Sequence, residues 1–147
     1  MRLQIPITSQ DFEKYYQLRW EILRKPWNQP KGTEKDDSEN SSFHLMALND
    51  EMECIGVSRL QKNTREEAQI RFMGIRGDQQ GKGVGKLLMA ALEQKAKEDG
   101  VRKIILQARE NAVPFYLSLG YKQIEKTFLL WDIIQHYKME KEILLLF

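Results

Sequence analysis

Gln80-Gly81-Lys82-Gly83-Val84-Gly85-Lys86 carries the clearest chemical signal in this 147-residue chain. Glycines at alternate positions let the backbone curl until several amide N–H groups point into one concavity. A helix starting directly afterwards adds the positive end of its dipole, and the combination suits a pyrophosphate. Two familiar glycine motifs fail here. A nucleotide P-loop needs Gly, four residues, then Gly-Lys-Ser/Thr, but Leu87 follows Gly85-Lys86 and Gln80 stands where the first glycine belongs. A dinucleotide fingerprint needs a glycine at 86 or 88, where Lys86 and Leu88 stand, and Gln107-Ala108-Arg109 offers no ribose-binding acid.

The flanking segments place this loop. Gln69 to Ile75 alternates and is β-prone, which predicts a strand leading in. Val84, Leu87, Leu88, Ala91, Leu92 and Ala96 recur at helical spacing, which predicts a helix to Asp99 closed by Gly100. Lys103 to Ala108 reads as a buried strand, so strand, helix and strand predict a right-handed crossover joining parallel neighbours. Ala112 to Leu119 is a short helix with Pro114 in its first turn, capped by Gly120.

Gln80, Gly83 and Gly85 occupy the fixed places of a Gln/Arg-x-x-Gly-x-Gly/Ala signature. In this setting the loop resembles that of the GNAT superfamily of N-acyltransferases, which holds the pyrophosphate of acetyl-CoA. Asn111-Ala112-Val113-Pro114-Phe115-Tyr116-Leu117-Ser118-Leu119-Gly120-Tyr121 is similar to the superfamily stretch in which a Tyr precedes a Gly-aromatic pair by four residues. Together the two cover about the C-terminal half of the chain. Ala-Val-Pro-Phe-Tyr, Leu23-Arg24-Lys25-Pro26 and His136-x-x-Met139 look like a small bacterial group of unassigned acceptor.

The resemblance implies an α/β (α+β) fold: a mixed, mostly antiparallel sheet of six to seven strands, with a parallel splayed pair at its centre and flanking helices. It implies one acetyltransferase domain over residues 1–147, an acetyl-CoA-dependent enzyme, and direct attack by a primary amine of a small molecule or peptide. Backbone groups of Met73 and Ile75, flanking Gly74, would pair with the pantetheine arm, and an amide on that strand would polarise the thioester carbonyl. Gln80, Gly81, Lys82, Gly83, Val84, Gly85 and Lys86 would hold the pyrophosphate. Tyr116 would contact the cofactor and protonate the leaving thiolate, since a phenol with an ordinary pKa of about 10 is protonated at neutral pH. Asn111 would bond the cofactor arm; in many members that Asn lies seven residues before the Tyr, where this chain has Arg109.

For the base that deprotonates the acceptor, the nominees are His136, His44, Glu34, Asp37 and Glu21, or a chain of ordered water. His136 leads, because imidazole titrates in the useful range. A second reading keeps the cradle and drops the chemistry, leaving an acyl-CoA sensor. A third is an interaction protein using the acidic 34–42 stretch and the apolar terminus.

The N-terminal half is read from pattern alone. Leu3 to Ile7 is a first strand, with Pro6 tolerable at an edge. Thr8 or Ser9 caps a helix carrying Phe12, Tyr15, Tyr16, Arg19, Ile22 and Leu23 and ended by Pro26. Residues 27–42 read as a loop, either solvated or a lid whose carboxylates attract a cationic amine. Phe43–Leu48 and Glu53–Leu60 form a hairpin about Asn49-Asp50, with Cys54 as a small packed side chain. Tyr121 to Glu125 begins another strand, residues 126–135 connect, and His136 to Ile143 is the last strand. Leu144 to Phe147 is either continued strand or a contact surface.

Composition adds boundaries. The chain is 41% hydrophobic and 30% charged with net charge +2, which argues for no nucleic-acid partner. No apolar run approaches the roughly 18 to 20 residues of a membrane span, and the N-terminus lacks a signal-peptide pattern. One cysteine excludes an internal disulfide and any zinc-type cluster, so a cytoplasmic location is the default and no metal is expected. Oligomeric state stays open, with a homodimer allowed.

Overall fold

The structure is a computed structural model and describes residues 1–143. Leu144 to Phe147, read above as strand continuation or contact surface, lie outside the described residues. The strands are β1 (Arg2–Gln4), β2 (Phe43–Leu48), β3 (Cys54–Lys62), β4 (Glu67–Ile75), β5 (Lys103–Arg109), β6 (Lys122–Leu130) and β7 (Ile134–Glu142). The α-helices are α1 (Ser9–Leu23), α2 (Val84–Glu98) and α3 (Val113–Ser118). The sheet runs β1-β2-β3-β4-β5-β7-β6 and is mostly antiparallel, with β4 and β5 as the parallel pair. This is the mixed sheet with flanking helices that the sequence predicts. The described chain divides into two compact units, residues 1–61 with 72–92 and residues 62–71 with 93–143.

In the first unit, α1 begins in a complete capping box. The Thr8 hydroxyl accepts from the Asp11 amide at 3.0 Å, and the Asp11 carboxylate accepts from the Thr8 amide at 3.2 Å. Thr8, rather than Ser9, is therefore the cap. Tyr15, Leu18, Arg19 and Leu23 are the buried residues of this helix. Tyr15 and Leu18 enter a core with Met46, Leu48, Cys54 and Val57. β1 ends at Gln4, short of the predicted Ile7, and Ile5 is half exposed. Pro6 brings no N–H to a ladder, so nothing carries the pairing further.

Glycines set how closely the helices approach their strands. A Cβ on Gly56 of β3 would lie 3.0 Å from both Val84 and Leu88 of α2. One on Gly74 of β4 would lie 3.1 Å from Ile22 of α1. On α2 the buried set is Val84, Leu88, Met89, Leu92 and Ala96, whereas Leu87, predicted to be inside, is 47% exposed. The apolar stripe is thus turned toward Met89.

In the second unit, β4 and β5 pair in parallel over four positions, from Glu67↔Lys103 to Ile70↔Leu106. β4 then runs on to Ile75, while β5 continues to Arg109 against β7, where Arg109 faces His136. The sequence reading of residues 126–135 as a connection needs correction. β6 extends to Leu130, β7 starts at Ile134, and the turn between them has Trp131 and Asp132 in left-handed backbone (φ 52° and 56°). β6 is exposed along nearly its whole length, so it offers no alternation of buried and solvated residues by which a strand is recognised.

Candidate active site

The predicted cofactor loop is built within the first unit. β4 delivers Met73, Gly74 and Ile75; a 3-10 turn at Gly77–Gln79 follows, and α2 starts at Val84. Arg76 is fixed between these parts, its amide donating to Ile55 O at 2.9 Å and its guanidinium gripping Asp78 at 2.7 and 3.1 Å. Gly81 and Gly83 stand in left-handed backbone (φ 76° and 85°), and a Cβ at either would meet nothing within 4 Å. The loop is therefore an open cradle whose shape only glycine takes without strain. Lys82 and Lys86 are exposed beside it, and Gln80 Nε2 reaches back to Ile75 O at 3.4 Å. These features fit a diphosphate on backbone N–H groups at a helix start.

Tyr116, Asn111 and His136 belong to the second unit. Tyr116, on α3, is 7% exposed; burial pushes its phenol up to about 12, against an opposing pull from the charge of Arg109. Its ring meets those of Phe115 (5.1 Å) and Tyr121 (5.9 Å) edge-on. Asn111 lies exposed in the 3-10 turn Glu110–Ala112. His136 is 7% exposed, with Nδ1 3.0 Å from Ile134 O and its ring stacked on Phe128 at 4.4 Å. A carbonyl can only accept, so Nδ1 is the donor in this contact.

The other nominated bases belong to the first unit, with His44 in a buried polar cluster. His44 Nε2 donates to Glu39 O at 2.7 Å, and its Nδ1 faces the Tyr15 hydroxyl at 2.9 Å. Burial holds the His44 pKa below the ordinary value, helped by the charges of Arg19 and Arg59 and opposed by its bond to Glu39 O. Both nitrogens are thus engaged in the core, which disfavours His44 as a base. Glu34 is buried and accepts from the Gly32 amide at 2.7 Å. Asp37 is exposed, and Glu21 accepts from Gln17 at 2.8 Å.

Sequence reasoning missed the core of this cluster. Arg19 and Arg59 are fully buried. Arg19 Nη1 donates to Glu39 at 2.8 Å; Arg59 Nη1 donates to Asp36 at 2.6 Å and to Glu39 at 2.7 Å, and Arg59 Nη2 also bonds Gln61. Of the carboxylates read as bait for a cationic amine, Asp36 and Glu39 are spent on these guanidiniums. Arg19 at helical spacing among Phe12, Tyr15 and Tyr16 was the available signal, because an arginine inside an apolar stripe demands a buried counter-charge.

Comparison with known proteins gives the family. Residues 24–143 match the family described as acetyltransferase (GNAT) domain. An uncharacterized N-acetyltransferase of Bacillus subtilis, YjcF, is 29% identical over 97% of this chain and 100% of its own length. The ribosomal protein bS18 alanine N-acetyltransferase of Haemophilus influenzae is 30% identical over 81% of this chain and 80% of its own. In fold, a putative N-acetyltransferase from Lactobacillus plantarum superposes with a TM-score of 0.84 at 18% identity, covering 97% and 98% of the two chains. An aminoglycoside 6'-N-acetyltransferase complexed with coenzyme A does so at 0.82 and 13% identity, covering 98% of each. The chain belongs to the GNAT acetyltransferases. It is an acetyl-CoA-dependent N-acetyltransferase, and the sensor reading is not favoured.

Proposed function

We propose that this enzyme acetylates a primary amine of a small molecule or peptide within a single catalytic domain, with Tyr116 and His136 as its proton-transfer groups. The observation that carries the cofactor side is the pair of left-handed glycines, Gly81 and Gly83, opening onto free space ahead of α2. Backbone N–H groups from Gln80 to Lys86 hold the diphosphate, with Lys82 and Lys86 adding charge. Backbone groups of Met73 and Ile75, flanking Gly74, bind the arm, and Asn111 contributes a further hydrogen bond to it. Acetyl-CoA supplies the activated acyl group as a thioester.

Tyr116 supplies the proton to the departing sulfur; its raised pKa keeps the phenol protonated across the working range. His136 takes the proton from the acceptor ammonium, since imidazole titrates in the useful range. The described residues contain no helix long and apolar enough to cross a membrane and no group of acids, His and Cys suited to a metal. With the single buried thiol, Cys54, a cytoplasmic setting is the natural one. No nucleic-acid or membrane partner enters this reading; a homodimer is compatible with it.

The test is a screen of amines and peptides with acetyl-CoA, read by release of free thiol. Turnover on at least one primary amine, lost in Tyr116→Phe with coenzyme A binding retained, supports the reading. Coenzyme binding without turnover on any amine counts against it.

A further inference from the structure

Phe72, in β4 immediately before Met73, has φ 55°. A bulky side chain in left-handed backbone inside a strand is an outlier, and it persists only where the surroundings over-determine it. Here the surroundings are guanidiniums. The Arg19 Cζ lies 4.3 Å from the centroid of the Phe72 ring and the Arg59 Cζ 4.8 Å from it, with Arg24 at 5.6 Å. Each such contact is attractive, and more so away from water.

The guanidiniums cannot swing away. Glu39 bridges them, taking Arg19 on Oε1 at 2.8 Å and Arg59 on Oε2 at 2.7 Å. Asp36 binds both terminal nitrogens of Arg59, at 2.6 and 3.0 Å. Arg19 also donates to the Tyr15 hydroxyl at 2.8 Å and to Glu34 O at 3.1 Å. The Nε of each arginine is buried without a hydrogen-bond partner among the described residues. Both charges are thus held in place although each leaves one buried donor unpaired, which costs free energy.

A left-handed residue interrupts the extended backbone of a strand and turns the following peptide out of the regular ladder. The peptide that follows Phe72 carries the Met73 amide. We infer that Arg19 and Arg59 are positioning residues for acetyl transfer: braced by Glu39 and Asp36, they grip the Phe72 ring and hold its backbone so that the Met73 N–H is aimed at the thioester carbonyl. This rests on the reading that the end of β4 binds the acyl-CoA arm.

The test compares wild type, Arg59→Lys, Phe72→Gly and the double variant. Acetyl-CoA and coenzyme A are each titrated calorimetrically, and the infrared carbonyl band of 13C-acetyl-CoA is recorded in the bound state. In wild type the band should move to lower frequency. Arg59→Lys keeps the charge but loses the planar fork. It should abolish the band shift and weaken acetyl-CoA binding about tenfold, the scale of one lost hydrogen bond, with coenzyme A affinity unchanged. Glycine adopts positive φ freely, so Phe72→Gly should retain most of the shift, and adding Arg59→Lys to it should change nothing more. If Arg59→Lys does not fold, Phe72→Leu replaces it, with loss of the shift expected. A ring needed only for packing would instead make Leu the better substitute. An unchanged band in Arg59→Lys, equal losses in both backgrounds, or Leu outperforming Gly overturns the inference. Wild type that binds coenzyme A with no band shift also overturns it and leaves the cofactor reading intact. Wild type that binds neither molecule overturns both.

Discussion

Tyr116 and Tyr121 meet edge to face with ring centroids 5.9 Å apart, so the candidate proton donor leans on a second buried phenol. Tyr121 is itself tied down, donating to Glu93 at 3.1 Å, and Glu93 in turn binds Lys141 at 2.8 Å. Lys141 also donates to Leu119 O at 2.8 Å, closing the chain of contacts around the end of α3. This support gives Tyr116 a fixed ring direction without using its hydroxyl.

Tyr116→Phe removes one oxygen and keeps the ring contacts. Turnover should fall about a hundredfold, within the range for loss of a positioned general acid, while coenzyme A affinity and thermal stability stay near wild type. Steady-state kinetics beside calorimetry checks this. Because the phenol titrates near 12, the alkaline limb of the rate profile below pH 10 should not be its own.

Glu39→Ala leaves Arg19 without its carboxylate and Arg59 with Asp36 as its remaining one. Breaking a buried ion pair from one side costs about 3 kcal/mol or more, and urea unfolding should register that loss. A change below about 0.5 kcal/mol, typical of surface substitutions, would mean that the cluster is far better solvated than its burial indicates.

The glycines separate two kinds of cost. Gly81→Ala and Gly83→Ala meet no atoms, so each should cost about 1 kcal/mol of backbone strain and weaken coenzyme A binding. Gly56→Ala drives a methyl to within 3.0 Å of Val84 and Leu88. It should cost about 1–3 kcal/mol by overpacking and leave coenzyme A affinity largely intact. Thermal melts with and without coenzyme A distinguish the two.

His44 is held neutral by burial, its pKa below that of the unfolded chain. In the window from about pH 6.5 downward to its folded value, the unfolded chain binds more protons. Its contribution to stability is therefore complete above about pH 6.5 and is lost as pH falls. His44→Gln should flatten that part of the stability profile, measured by urea midpoints between pH 7.5 and 5.

Local rules made much of the molecule legible in the chain itself. Thr8 with Asp11 marked the start of α1, Pro26 its end, and Gly100 the end of α2. Glycine spacing located the cradle, because the demand for positive φ is written in single residues. β6 was foreshortened in that reading, since an exposed strand shows no alternation to detect.

What only the tertiary structure decided is where charge is spent. Asp36 and Glu39 look in sequence like part of a solvated acidic run, yet they face Arg59 and Arg19 across separations of about twenty residues. Phe72 looks like an ordinary strand residue, yet it stands at φ 55° between two guanidiniums. Periodicity reports which side of an element faces inward; which buried charge meets which depends on elements far apart in sequence, and it is fixed only when they pack.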